Sequence, residues 1–341
     1  MGASADHPPP PDNQPAIFLS GTDFDLPPVL PVGLAKYQGF REMARGGAAV
    51  LRSAVDTLTG RTVAIKTLLP ELRGNLQEQR RFLREARVTA QLQHPGVVPV
   101  YEIGRDEREG LYFAMKRISG ENYFEALKRI ARGDGQTAAD FPVARRLDIV
   151  IDAAMALAYA HTRGVIHRDV KPENLWVGNF GEVVLLDWGA AKVWGQPDEL
   201  LQRPSPADSL ALEEESPPLQ ALTVAGQRPG TPLYMSPEQV AKNGAIDERT
   251  DIFSTGVVLY EMLTFREPFR GRVIAETFAN IASLTPPPPS EVAPPALSPG
   301  TLPAELDATI LRAIAKKPAD RHPTMFALIA ELRDAMERVR S

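Results

Sequence analysis

At 341 residues, 43% hydrophobic and 24% charged, the chain has material for two or three folded units and a sizeable core. The absence of cysteine excludes disulfides, thiolate metal sites, iron–sulfur ligation and a cysteine nucleophile, and the five histidines (His7, His94, His161, His167, His322) never cluster as metal ligands would. A net charge of −5 gives no case for nucleic-acid binding, and no run of about 18 apolar residues is present to span a bilayer.

Proline and charge divide the chain in the same way. Of 32 prolines, eight fall in residues 1–31, eight in 197–237 and eight in 286–303, which leaves the remainder proline-poor and foldable. Residues 1–35 carry four aspartates and no base, and residues 195–227 carry six acids against Arg203, so the rest of the chain sums to +4. Residues 1–36 are expected to be a disordered, Pro-rich, acidic tail, with too little apolar surface to offset the entropy of ordering. The first 35 residues also lack an apolar h-region, so no signal peptide is expected and the expected location is cytoplasmic.

From Tyr37 the texture changes. Alternating segments at Ala48–Val55 and Thr62–Leu68 predict strands joined by a turn at Thr59-Gly60. Leu76–Leu92 predicts a helix stopped by His94-Pro95-Gly96. Val97–Ile103 and Leu111–Ile118 predict two more strands, turning at Asp106–Gly110. Beyond Gly120 the helical period dominates: Leu147, Val150, Ile151, Ala154, Met155, Ala158 and Tyr159 mark a helix buried on most of its surface. Further helices are predicted at Thr250–Thr264, Arg272–Leu284, Ala304–Ala315 and Thr324–Arg340, and Val183–Leu186 predicts an apolar strand. The expected class is α+β: a small antiparallel sheet with one helix over 37–118, then a mostly helical unit over 119–341.

Chemistry-bearing residues concentrate in three places. Lys66 ends the apolar run Val63-Ala64-Ile65, and Glu85, nineteen residues later, falls inside the predicted helix; such a pair would hold an ammonium toward a phosphate as a compact point charge. The run His167-Arg168-Asp169-Val170-Lys171-Pro172-Glu173-Asn174 packs a base, an acid, a cation and an amide into one short loop. Asp187-Trp188-Gly189 follows thirteen residues after Asn174. Two oxygen ligands, Asn174 and Asp187, suit a hard Mg²⁺ shared with phosphate oxygens. Asp169 is then free to accept a hydroxyl proton, and Lys171 to neutralise a transferring phosphoryl group. Only nine of 38 basic residues are lysine, so lysine at both 66 and 171 is a mild sign that a point charge is needed.

These motifs, with Gly230-Thr231-Pro232-Leu233-Tyr234-Met235-Ser236-Pro237-Glu238, Asp251 and Arg321, make residues ~37–340 resemble a bacterial, eukaryotic-like Ser/Thr protein kinase catalytic domain. The resemblance implies a bilobal fold with an N-lobe at 37–118 and a C-lobe at 119–341. It implies Lys66 on the α- and β-phosphates of ATP, Glu85 fixing Lys66, Asp169 orienting and deprotonating the substrate hydroxyl, and Asn174 with Asp187 holding Mg²⁺. It also implies a nucleotide site made by Gly46, Gly47, Leu51, Ala64, the gatekeeper Met115, the backbone of Lys116 and Ile118, and Trp176 under the adenine. Asp251 would support the catalytic loop and Arg321 would pair with Glu238. Implied partners are protein substrates and ATP, with a homodimer for autophosphorylation, and with neither nucleic acid nor membrane.

The chain departs from the family at three points. The glycine-rich loop maps to Ala44-Arg45-Gly46-Gly47-Ala48-Ala49-Val50-Leu51, so Ala44 and Ala49 replace glycines. Trp176 stands where a smaller apolar residue is usual, and Trp188 replaces Phe. Asp187 to Glu238 spans 51 residues, so an acidic, Pro-rich insert at 195–228 lengthens the activation segment. Ser205, Ser209, Ser216 and Thr223 are its phosphosite candidates, with Arg168 as the cation to meet a phosphate. The rival expectations are a pseudokinase scaffold, supported by Ala44 and Ala49, and a small-molecule phosphotransferase on the same fold.

Overall fold

The computed structural model describes residues 30–195, 232–241, 246–295 and 302–340. Most of the expected tail and insert, the four phosphosite candidates, Gly230 and Thr231 therefore lie outside the described residues. The described residues form two compact units, one of residues 30–93 and 98–119 and one of residues 94–97 and those from 120 onward.

The first unit is a five-stranded antiparallel sheet with one long helix. Its strands are β1 (Tyr37–Arg45), β2 (Ala49–Asp56), β3 (Thr62–Leu68), β4 (Val100–Asp106) and β5 (Gly110–Lys116), in the order β1-β2-β3-β5-β4. The central strand Thr-Val-Ala-Ile-Lys-Thr-Leu is rich in β-branched residues, which pack well on a pleated surface. Val63 and Ile65 bury one face against Tyr37, Ala54, Tyr112 and Ala114. Leu68, Ala49, Leu111 and Phe113 bury the other against Phe82 and Ala86 of helix α1 (Leu76–Gln91), with the Phe82 and Phe113 rings 5.1 Å apart. Asn75 caps α1, its side-chain oxygen accepting from the backbone N–H of Gln77 and Glu78.

Two expectations are corrected here. The strand predicted from Val97 begins at Val100, because Pro99 has no N–H to donate and Val97 instead bridges Leu185 in the second unit. The strand predicted to run to Ile118 ends at Lys116. The strand Tyr37–Arg45 went unassigned; only its first residue is buried, so it shows no apolar alternation.

In the second unit the short strands β6 (Glu121–Asn122), β8 (Leu175–Val177) and β9 (Val183–Leu185) form one sheet. A second pairs β7 (Val165–Ile166) with β10 (Lys192–Val193). The helices begin with α2 (Tyr123–Ala131) and α3 (Gly135–Asp140), neither of which was expected, and the buried α4 (Val143–Thr162). After α5 (Pro237–Ala241) come α6 (Arg249–Thr264), α7 (Ile274–Ser283), α8 (Pro289–Val292), α9 (Ala304–Ala313) and α10 (Met325–Arg340). Every residue of α6 after Arg249 is buried, the mark of a helix at the centre of a helical unit. Gly256 permits this packing, since a Cβ there would stand 2.7 Å from Ile314 Cγ2 and 2.8 Å from Ala313 Cβ. Gly120, at φ +114, opens the unit where a Cβ would collide with the carbonyl of Val177. The α+β class is thus realised as one sheet unit and one helical unit.

Candidate active site

The site residues divide between the two units. In the second, the loop after β7 is organised by Asp251, which is fully buried near the start of α6. One carboxylate oxygen accepts the backbone N–H of His167 at 2.8 Å and the His161 ring N–H at 2.8 Å. The other accepts the N–H of Arg168 at 2.8 Å. Burial alone would raise the Asp251 carboxyl, but the bond from His161 and the charges and N–H groups around it hold it below the usual carboxylate range. These bonds fix Arg168 in the left-handed region at φ 68, a conformation that costs a non-glycine residue about 1–3 kcal/mol.

The His167 ring bridges the loop to the strand that precedes Asp187. Its Nδ1 accepts the N–H of Asp169 at 3.2 Å, so its Nε2 carries the hydrogen donated to Leu186 O at 3.0 Å. Trp188 covers the ring edge-on, with centroids 4.6 Å apart, and donates its indole N–H to Leu185 O at 3.3 Å. Trp in place of Phe thus adds a hydrogen bond as well as volume.

Within this frame Asp169, Lys171 and Asn174 meet. The Asp169 carboxylate receives Lys171 Nζ at 2.6 Å and Asn174 Nδ2 at 3.2 Å, and Asn174 Nδ2 also donates to Asp169 O at 2.8 Å. With the amide nitrogen turned to Asp169, Oδ1 is the Asn174 atom with the chemistry for a cation. Asp187 is exposed, sits at φ 62, and accepts the N–H of Gly189 at 3.3 Å. One amide oxygen and one carboxylate fit a hard cation that keeps most of its shell for water and phosphate. No cluster of three His, Cys, Asp or Glu that could hold a metal occurs among the described residues.

A second buried centre lies at Glu238 and Arg321. Glu238 and Arg321 form two parallel bonds of 2.8 Å, and Thr250 Oγ1 adds a third to Glu238 at 2.8 Å. Arg321 further donates to the carbonyls of Ala315, Arg249 and Lys316. Desolvation works to raise Glu238, yet the bonds and charge of Arg321 leave it lowered. Gln239, beside Glu238, donates its amide to Arg168 O at 2.9 Å and so ties α5 to the loop after β7. Neither Gln239 nor His161 was given a role from sequence, because both act through contacts more than 70 residues away.

In the first unit Lys66 is ion-paired with Glu85, at side-chain exposures of 24% and 13%. The pairing follows from register: Glu85 lies three residues after the core residue Phe82, which places it on the sheet-facing side of α1. Lys66 stands opposite Leu51 on β2 and Phe113 on β5, and Ala64, 3% exposed, stands opposite Ser53 and Met115. Met115 and Ile118 are half-buried and Lys116 is exposed. The N–H of Lys116 is taken by Pro99 O at 2.9 Å, so of its backbone groups only the carbonyl is a candidate ligand contact. Gly46 and Gly47 form the exposed turn between β1 and β2, closed by the Gly46 N–H on Ala49 O at 2.9 Å. Trp176 lies on β8 in the second unit, opposite Asn122 and Val184.

The family described as "Protein kinase domain" matches residues 37–328. The serine/threonine-protein kinase PknD of Chlamydia pneumoniae is 35% identical over 310 residues, covering 89% of this chain and 31% of that protein. PknD of Chlamydia trachomatis serovar L2b is 34% identical over 307 residues, with the same coverage, and PknD of Protochlamydia amoebophila is 34% identical over 259 residues, covering 74% and 25%. The chain therefore spans about a third of the length of these relatives or less. A match across both units, with the loop motifs in order along it, establishes that the chain belongs to the protein kinase family.

Proposed function

We propose that the chain transfers the γ-phosphoryl group of ATP to serine and threonine hydroxyls of proteins, itself included. The observation that carries the reading is the Asp169–Lys171–Asn174 cluster, set on a loop whose backbone is held by buried Asp251. Asp169 receives the substrate hydroxyl and takes its proton as the new P–O bond forms, while the bond from the γ-phosphorus to the bridging oxygen breaks and ADP leaves. Lys171, already 2.6 Å from that carboxylate, moves onto the transferring group and balances its charge. Asn174 Oδ1 and the Asp187 carboxylate would hold Mg²⁺, which would supply positive charge against the phosphate groups. Lys66, steadied by Glu85, binds the α- and β-phosphates, and the Gly47 amide is the N–H of the Gly46-Gly47 turn offered to them, that of Gly46 being held by Ala49 O.

A working nucleotide loop is favoured over the scaffold alternative by backbone geometry. Ala44 and Ala49 sit in β1 and β2, and neither adopts the positive φ for which glycine would be needed. Alanine there adds a methyl group without strain. Dependence on ATP fits a cytoplasmic location, and no helix among the described residues is long and apolar enough to cross a membrane.

The test is transfer from Mg²⁺·ATP to mixed peptide libraries that offer serine, threonine or tyrosine as acceptor. The reading predicts label on serine and threonine peptides that disappears in Asp169→Asn. Label surviving in Asp169→Asn, or appearing only on tyrosine, would overturn it.

A further inference from the structure

We propose that Gln239 is a positioning residue for phosphoryl transfer, its side-chain amide holding the Arg168–Asp169 peptide in the geometry that aims the Asp169 carboxylate. This inference rests on the proposed transfer from ATP and adds to it a residue outside the loop that carries Asp169.

Ser236-Pro237-Glu238-Gln239 opens α5 in the manner of a capping box. Gln239 Oε1 accepts the backbone N–H of Ser236 at 2.9 Å and the Ser236 hydroxyl at 3.2 Å. A glutamate would serve that purpose equally well, since a cap of this kind uses an oxygen alone. Here the other half of the amide is used too, with Nε2 donating to Arg168 O at 2.9 Å. The N–H of Ser236 can meet only an oxygen, so the amide is oriented with its nitrogen toward Arg168. Glutamine, acceptor and donor at once, is what the two contacts together require.

Arg168 O belongs to the peptide that joins Arg168 to Asp169. Asp251 holds the N–H of Arg168, on the near side of its Cα, and leaves the peptide beyond it free to swing. Arg168 sits at φ 68, where a residue with a side chain relaxes by turning back toward negative φ. Two bonds oppose that turn: the Asp169 N–H to His167 Nδ1 at 3.2 Å, and Gln239 to Arg168 O at 2.9 Å. The first is internal to the loop, whereas the second reaches it from α5. That helix is itself anchored, because Ser236 is fully buried and Glu238 is bonded twice to buried Arg321. Gln239 thus ties the backbone beside Asp169 to the Glu238–Arg321 pair.

Steady-state transfer from Mg²⁺·ATP to the serine peptide library tests this on the full chain, using wild type, Gln239→Glu and Gln239→Met across a range of pH. At about pH 8 the ionised Gln239→Glu keeps the cap but sets an acceptor against Arg168 O, and kcat should fall roughly tenfold with the KM for ATP unchanged. A protonated carboxyl donates where the amide did, and the facing carbonyl favours that form. The kcat of Gln239→Glu relative to wild type should therefore recover as pH falls toward about 6. Gln239→Met, which donates at no pH, should stay depressed throughout. Wild-type kcat in Gln239→Glu at about pH 8, or a loss that both variants share at every pH, would overturn the inference while leaving transfer by wild type intact. Wild type that transfers no phosphate would instead remove the proposed function, and the inference with it.

Discussion

The two units hold their charged groups by different means. In the second, Asp251 and the Glu238–Arg321 pair are buried, each charge meeting three or more polar groups that fix backbone as well as side chain. In the first, Lys66 is held by Glu85 from a helix packed on the sheet through Phe82 and Ala86, and both partners keep some contact with water. Under the proposed function, the contrast separates a rigid frame for transfer from an adjustable grip on the nucleotide. A buried, multiply bonded charge fixes geometry because breaking one contact strands another. A part-exposed pair can open at little cost.

The largest effect should come from the chemistry itself. Asp169→Asn should lower kcat by about two to four orders of magnitude while the thermal midpoint stays where it is, since its carboxylate is not part of the buried frame. Next, Glu238→Gln should cost about 3–5 kcal/mol in urea unfolding, because it leaves the Arg321 guanidinium buried without its counter-charge. Glu85→Gln should cost about 1 kcal/mol or less by the same measurement, yet raise the KM for ATP. If Glu85→Gln proves as destabilising as Glu238→Gln, the contrast between the units is wrong.

Those expectations rest on residues that the sequence exposed unevenly. The run His167–Asn174 was legible because its parts lie within one loop, and Lys66 with Glu85 because strand and helix periods put both on facing surfaces. Asp251 and Arg321 were legible only through resemblance to a family, since nothing local marks them. His161 and Gln239 were not legible, because their partners are far along the chain. Strand β1 was missed because only Tyr37 is buried, so no face is marked by apolar residues. Helices α2 and α3 were missed although their caps were in view: Asn122 accepts from the N–H of Phe124, and Asp134 from that of Thr137.

A further effect concerns pH and belongs to the rim of the second buried centre. Lys316 donates to the carbonyls of Asn280 and Ile281 and lies 3.7 Å from the Phe269 ring centroid. Burial, followed by the nearby Arg321 charge, pushes its ammonium down to about 8. A base whose folded pKa is lowered binds fewer protons folded than unfolded between that value and about 10.4. Stability should therefore rise as pH climbs from 8 toward 10, and Lys316→Met should flatten the rise relative to wild type. A wild-type profile identical to that of Lys316→Met would show that the folded state leaves the lysine unperturbed.

The most direct test of the whole account is the intact mass of the purified chain after incubation with Mg²⁺·ATP, beside Asp169→Asn treated identically. The account predicts mass gained in steps of one phosphate by the wild type and none by the variant. Equal gain in both would contradict Asp169 as the group that receives the hydroxyl. Gain in neither, with no thermal stabilisation by Mg²⁺·ATP, would contradict phosphoryl transfer and leave a scaffold.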